Sequence, residues 1–336
     1  MNTNVKTILV TGATGFLGGA LAKRLVSLGH NVIGLGRNKT KGNELQTLGI
    51  NFIDCDLEDK QKLESIMRNV DFVVHCAAKS SPWGRYKDFY KSNVNGTKNI
   101  IDICLKNNVN RLVYISSPSV YFKLKDEFNI TETANYTNKP VNNYIKTKII
   151  AEKLIDDAFN KGLDVITLRP RAIFGIGDTA IFPRLIKANN KRFLPITTNK
   201  DILVDLTYIE NVVDAILLAV NADKKYSGEK YNITNDEHIY LHKTIEKIIT
   251  SLNYEYKTKK IPYKLLKLIS TLIDKLYYIF LPNKEPTITQ YSLGVLSFSQ
   301  TFDISKAKNE LGYIPKISTN EGLKCVIDYY KEHKCC

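Results

Sequence analysis

With 336 residues, 43% of them hydrophobic and 24% charged, the chain is long enough to bury a sizeable core and too apolar for disorder. The formal charge of +14 comes mainly from lysines spread along the chain, which argues against nucleic acid and leaves a lysine-rich surface, an acidic lipid or a phosphorylated cofactor as its meaning. The six cysteines form no C-x-x-C pair and have no histidine at ligand spacing, so no metal site is expected and the thiols read as reduced and cytosolic.

The first predicted element lies in Val5 to Gly19, VKTILVTGATGFLGG. An apolar run at Ile8, Leu9 and Val10, too short for a signal peptide, ends in Thr11. Gly12, Gly15 and Gly18 follow at three-residue spacing, and apolar residues from Phe16 to Val26 continue at helical spacing. The pattern predicts strand, glycine turn and helix. Gly12 turns the chain tightly, Gly15 lets the backbone approach a pyrophosphate, and Gly18 lets the helix pack on the strand with its free N–H groups facing the anion. A dinucleotide is the implied ligand.

Asn31 to Gly36 reads as a second strand. An acid at its end would bind the adenosine ribose and repel a 2′-phosphate. Arg37, Lys39 and Lys41 stand there instead, which favours NADP(H) with Arg37 as the clamp, NAD(H) being the alternative; Arg37 as a plain solvated charge is the bland reading. A third strand at Asn51 to Ile53 runs into Asp56 and Leu57, and a fourth, Asp71 to His75, into Ala77 and Ala78. Asp56 either reads an adenine amino group or caps the helix starting near Asp59. The two alanines are small where a cofactor would pass, or where elements simply pack closely. Alternating strands and helices imply a parallel sheet covered on both faces.

Lys79 to Tyr90 is a loop holding the single tryptophan, Trp83, beside Arg85 and Tyr86, and is read as a substrate wall or a hydrophobic plug. A helix over about Asn93 to Lys106 leads to a fifth strand, Arg111 to Ile115, ending in Ser116-Ser117-Pro118-Ser119. Tyr144 and Lys148 lie four apart on one helical face, so the ammonium is expected near the phenol, lowering its pKa for proton transfer. Tyr121/Lys125 and other pairs share the spacing, but Tyr144 alone opens a long helix before a sixth strand, Val165 to Leu168, which ends in Arg169-Pro170-Arg171.

Beyond residue 175 the alternation loosens. Segments at Ile202 to Leu206, Asn211 to Val220 and Tyr231 to Thr234 suggest a smaller capping region. The division expected is 1–175 for the dinucleotide domain, with contributions from about 202–234, and 176–336 mainly for substrate. Ile261 to Pro282 carries a leucine stripe at 265, 268, 272 and 276. It is too short and charged to span a membrane, and reads as a helix lying on a membrane, lidding a greasy pocket, or packing on the core. The closing Cys335-Cys336 lacks the C-a-a-X pattern and reads as loose thiols.

Together Thr11-Gly12-Ala13-Thr14-Gly15-Phe16-Leu17-Gly18, Ser117, Tyr144 with Lys148, and Arg169-Pro170 resemble the extended short-chain dehydrogenase/reductase family. Asp303 to Pro315 and Glu321 to Leu323 resemble its closing stretch. His75 to Lys79 with Trp83-Gly84, Ser117 to Val120, Leu168 to Gly175 and Val204 to Ile209 resemble its 3β-hydroxysteroid dehydrogenase-like branch, similar to bacterial 2-alkyl-3-oxoalkanoate reductases.

The resemblance implies an α/β Rossmann fold, a doubly wound parallel sheet with a smaller C-terminal substrate-capping region. It implies ketone/secondary-alcohol chemistry on a hydrophobic 3-oxo or 3-hydroxy substrate. Tyr144 would be the acid/base, Lys148 would bind the nicotinamide ribose, and Ser117 would hold the substrate oxygen. Thr14, Phe16, Leu17, Leu57, Lys79 and Pro170 would join the cofactor site; Trp83, Ser119, Arg171 and Phe174 would meet substrate. A homodimer is expected by the same analogy; the thiols and the short first apolar run point to a cytoplasmic location, with or without contact at the inner membrane face through the Leu265 to Phe280 helix. A nucleotide-sugar epimerase with bound NAD and a non-catalytic NADP sensor are the alternatives. Pro118-Ser119 in place of an Asp-Glu pair argues against dehydration, and Gly36-Arg37 argues against the epimerase.

Overall fold

The computed structural model describes residues 5–191, 193–198 and 200–333; Cys335 and Cys336 lie outside them. Its frame is seven parallel strands, β1 (Thr7–Thr11), β2 (Asn31–Gly36), β3 (Asn51–Asp54), β4 (Phe72–His75), β5 (Arg111–Ile115), β6 (Val165–Pro170) and β7 (Lys230–Ile233). They are ordered β3-β2-β1-β4-β5-β6-β7. The order reverses between β1 and β4, and the crevice at a doubly wound sheet's switch point is where such folds bind ligands.

Side-chain alternation explains the two-sided core. Ile8 and Val10 of β1 face one apolar cluster, with helices α1 (Phe16–Ser27) and, farther on, Ile209–Asn221. Leu9 faces the other, formed with α2 (Gly96–Lys106) and α3 (Asn143–Asn160). Central strands covered on both faces read as nearly unbroken apolar runs, as ILV and FVV do here.

The doubly wound fold expected from the sequence is present. β7 falls in the 202–234 stretch expected to contribute to the dinucleotide domain, and the boundary drawn at residue 175 is crossed from the earlier side. β7, from the later half, pairs with β6. Glu127–Ile130, from the earlier half, joins a four-stranded sheet with Gln300–Phe302, Leu203–Asp205 and His238–Tyr240. The helix expected to start at Asn93 instead begins as a π-helical segment, Tyr90–Asn95, before α2.

The stripe-bearing segment is one helix, Tyr263–Phe280, in which only Leu266 and Ser270 are buried. Leu266 packs inward, whereas the stripe leucines 265, 268, 272 and 276 face outward rather than onto the core. The inner side is held by Tyr263 against Phe298, ring centroids 5.0 Å apart, by Tyr277 edge-on to Trp83 at 6.4 Å, and by the Gln290 backbone N–H on the Asp274 carboxylate at 3.2 Å.

Candidate active site

At the switch point the glycine loop is shaped by close approach. Gly12 has φ +72°, and a Cβ there would lie 2.9 Å from the Ala77 Cα; one on Gly18 would lie 2.3 Å from the Gly12 carbonyl oxygen. α1 begins from Gly15 with no side-chain cap and no acid in its first turn. Its leading N–H groups therefore remain available to an anion, which fits a dinucleotide pyrophosphate. Thr14 and Phe16 border this loop half-buried, whereas Leu17 is buried in the core, so only its backbone can serve the ligand.

The loop after β4 is tied to this cradle. His75, fully buried, bridges Thr11 Oγ1 at 2.7 Å and Thr97 Oγ1 at 3.0 Å. Burial lowers its pKa to about 3, so it is neutral. Thr11 Oγ1 also accepts the Ala77 N–H at 3.1 Å, fixing Ala77 and, behind it, Ala78. Lys79 exchanges both backbone hydrogen bonds with the Asn93 amide, at 2.7 and 3.1 Å, and Asn93 also donates to Thr147 of α3. Asn93 sits in the π-helical segment, and such segments often re-aim side chains at functional sites.

At the ends of β2 and β3, Arg37 lies 3.9 Å from Asp56, both well exposed. The helix cap is Asp59, which accepts the Lys62 N–H, while the Asp56 carboxylate accepts the Glu58 N–H. Of the two readings of Asp56, the helix cap is thereby removed. Leu57 lies beside it with its carbonyl bound by Asn99, and Pro170 is buried at the end of β6.

Ser117 caps the short helix Pro118–Tyr121, accepting the Ser119 N–H at 3.2 Å, and its side chain is hydrogen-bonded to Tyr144. Burial pushes the Tyr144 phenol up to about 12, the Ser117 bond opposing the rise. The expected lowering by a neighbouring Lys148 is not what is found. Lys148, 1% exposed, donates to Tyr114 Oη and to the Ile115 carbonyl, each at 2.7 Å. Helical spacing puts both side chains on one face, but a buried ammonium must satisfy its donors, and the end of β5 offers the acceptors. Burial brings its pKa down to about 7, with Glu152 opposing.

The neighbouring serines divide clearly. Ser116 is bonded to Glu152, whereas the buried Ser119 Oγ has no partner among the described residues. Glu152 is one turn beyond Lys148 and fully buried; it is paired with the buried Arg169, whose Nε lies 3.0 Å from Oε1, and accepts the Tyr136 hydroxyl at 2.7 Å. Arg169 also bonds Tyr121. This network was missed in the sequence; the 144, 148, 152 spacing on one helix face was its available signal.

A cavity of about 410 Å³ opens beside the start of α3, lined by Trp83, Asn142, Asn143, Asp274, Tyr278 and Tyr291 among others. Trp83 Nε1, Asn142 Nδ2 and Asp274 Oδ1 are buried there without partners among the described residues. Arg171 is buried over the Phe302 ring. Phe174, expected at substrate, is instead fully buried in the core, where the Phe182 and Tyr208 rings pack on it.

Residues 9–264 match the 3-beta hydroxysteroid dehydrogenase/isomerase family. The chain is 34% identical over 331 residues to a 2-alkyl-3-oxoalkanoate reductase of Shewanella oneidensis, covering 95% of this chain and 85% of that one. It is 31% identical to the decarboxylating sterol-4-alpha-carboxylate 3-dehydrogenase of Homo sapiens, covering 97% and 88%. Among solved structures, UDP-glucuronic acid 4-epimerase of Bacillus cereus in complex with NAD superimposes with a TM-score of 0.75 at 24% identity, over 97% of this chain and 99% of that one, a likeness of fold. The chain thus belongs to the 3-beta hydroxysteroid dehydrogenase/isomerase family, within the extended short-chain dehydrogenases/reductases, and is a nicotinamide-dependent oxidoreductase.

Proposed function

We propose that the protein interconverts a ketone and a secondary alcohol on a hydrophobic 3-oxo/3-hydroxy substrate, a steroid-like molecule or a long-chain β-keto acid, with NADP(H) preferred to NAD(H). The observation that carries this reading is the pairing of Ser117 with Tyr144, next in the chain to Asn142 and Asn143, which line the cavity walled by Trp83 and Tyr291. The relatives named for 2-alkyl-3-oxoalkanoates and sterol carboxylates support the substrate class.

The backbone of Gly12 to Leu17 would hold the pyrophosphate, Ala77 to Lys79 and Pro170 would flank the nicotinamide, Lys148 would hold its ribose, and Asp56 and Leu57 would meet the adenine. When bound, the nicotinamide supplies or takes up the hydride. With its phenol held protonated at neutral pH, Tyr144 donates its proton to the carbonyl oxygen, while Ser117 Oγ holds the same oxygen before charge develops on it. Arg37 supports the phosphorylated cofactor: an exposed ion pair such as that with Asp56 is worth about 0–1 kcal/mol, so the guanidinium turns to a 2′-phosphate at little cost. Trp83, Ser119 and Arg171 would contact substrate. A homodimer and peripheral contact with a membrane complete the reading.

The test is turnover of steroid, β-keto acid and UDP-sugar panels with NADH and NADPH, with Tyr144→Phe alongside. The variant should bind NADPH normally and lose about 10²–10⁴-fold in turnover. Surviving turnover, or conversion of UDP-hexoses by protein retaining NAD, overturns the proposal.

A further inference from the structure

The helix Tyr263–Phe280 turns two different faces to its surroundings. Leu265, Leu268, Leu272, Leu276, Ile279 and Phe280 are 49%, 61%, 54%, 55%, 68% and 72% exposed. At roughly 100° per residue they fall within an arc of about 120°. A contiguous apolar strip of this kind marks an interaction surface rather than scattered surface leucines. Lys264 and Lys275, both exposed, stand just outside one edge of the arc. From residue 257 to 284 the chain holds seven lysines and a single acid, Asp274, which is turned inward onto the Gln290 N–H. Thr271, Asp274 and Tyr278, together with Lys275 and Ile279 at the edge of the apolar arc, line the cavity that holds Trp83 and Asn142. Among the described residues, no helix is long and apolar enough to cross a membrane.

We propose that this helix is a lid docked on an anionic lipid bilayer, its leucine face in the interfacial layer and its lysines on the headgroups, so that an apolar ketone passes from the lipid directly into the cavity. This deepens, and rests on, the proposed reaction. Charge decides the occupant. Lysine-edged apolar helices are held at acidic membrane surfaces by both burial and attraction. A second copy seated on the same face by two-fold symmetry would instead set this lysine-rich segment against its own like.

The probe is co-sedimentation with vesicles of phosphatidylglycerol and phosphatidylcholine in equal parts, and with phosphatidylcholine alone, at low salt. The full chain should bind the anionic vesicles about tenfold more tightly, and Leu272→Glu/Leu276→Glu should lose that binding. Both leucines are exposed and lie off the cavity lining, so circular dichroism and reduction of a short, water-soluble ketone should be unchanged, while reduction of a long-chain ketone presented in vesicles should fall. A wild-type protein that stays in the supernatant, a double variant that sediments like wild type, or a wild-type dimer that the double variant dissociates without vesicle binding would overturn the proposal. Sedimentation needs no turnover: a chain that binds vesicles but reduces no ketone refutes the reaction and leaves the docking standing.

Discussion

Glu152→Gln tests whether α3 is held by a buried charge. Glu152 and Arg169 are 0% and 1% exposed, so both ions have left water and each depends on the other for compensation. Glutamine keeps the volume and one acceptor, which can still take the Arg169 Nε–H. Its amide nitrogen, however, places a donor where Arg169 and the Tyr136 hydroxyl both need an acceptor, and the guanidinium is left uncompensated. Breaking a buried pair from one side costs about 3–5 kcal/mol. The retained hydrogen bond puts the expectation near the lower end, about 3 kcal/mol, a large share of the roughly 5–15 kcal/mol that folded proteins have. Urea unfolding followed by far-ultraviolet circular dichroism and by the fluorescence of Trp83, the only tryptophan, measures it. A change below about 1 kcal/mol would refute the reasoning. Adding Arg169→Met to the variant should restore part of the loss, since the second substitution removes the stranded charge. Glu152 also supports the charged form of Lys148, so a pH-rate limb set by that lysine should move to lower pH in the variant.

Two further outcomes follow from the cofactor loop. Arg37→Ser removes a charged donor from the proposed 2′-phosphate site, and charge-assisted hydrogen bonds are worth about 1.5–3 kcal/mol; the KM for NADPH should rise about 10–100-fold with that for NADH unchanged, and an equal loss on both cofactors would assign Arg37 another role. Gly18→Ala would set a methyl 2.3 Å from the Gly12 carbonyl oxygen, an overpacking that costs about 1–3 kcal/mol. Scanning calorimetry should show a lower Tm together with weaker NADPH binding, and an unchanged Tm would contradict the close approach of α1 to β1.

The signals from which the candidate site is read are local. The glycine turn, the absence of an acid after β2 and the Tyr144/Lys148 spacing are each contained in a few residues, and their meaning follows from backbone geometry. What was not legible depends on partners distant in sequence. Lys148 is satisfied by Tyr114 and Ile115, more than thirty residues earlier, so spacing alone wrongly aimed its ammonium at Tyr144. Phe174 closely follows Arg169-Pro170-Arg171 in sequence, yet the distant rings of Phe182 and Tyr208 hold its ring in the core.

By itself the sequence determined the fold class and the glycine turn, since periodicity and glycine placement reflect short-range sterics that hold in any tertiary setting. Only the tertiary structure decided which way the leucine helix faces. The same hydropathy stripe serves a core, a pocket or a bilayer, and its direction is set by what packs on the other side: here Trp83, Phe298 and Gln290 occupy the inner face, leaving the leucines to the outside.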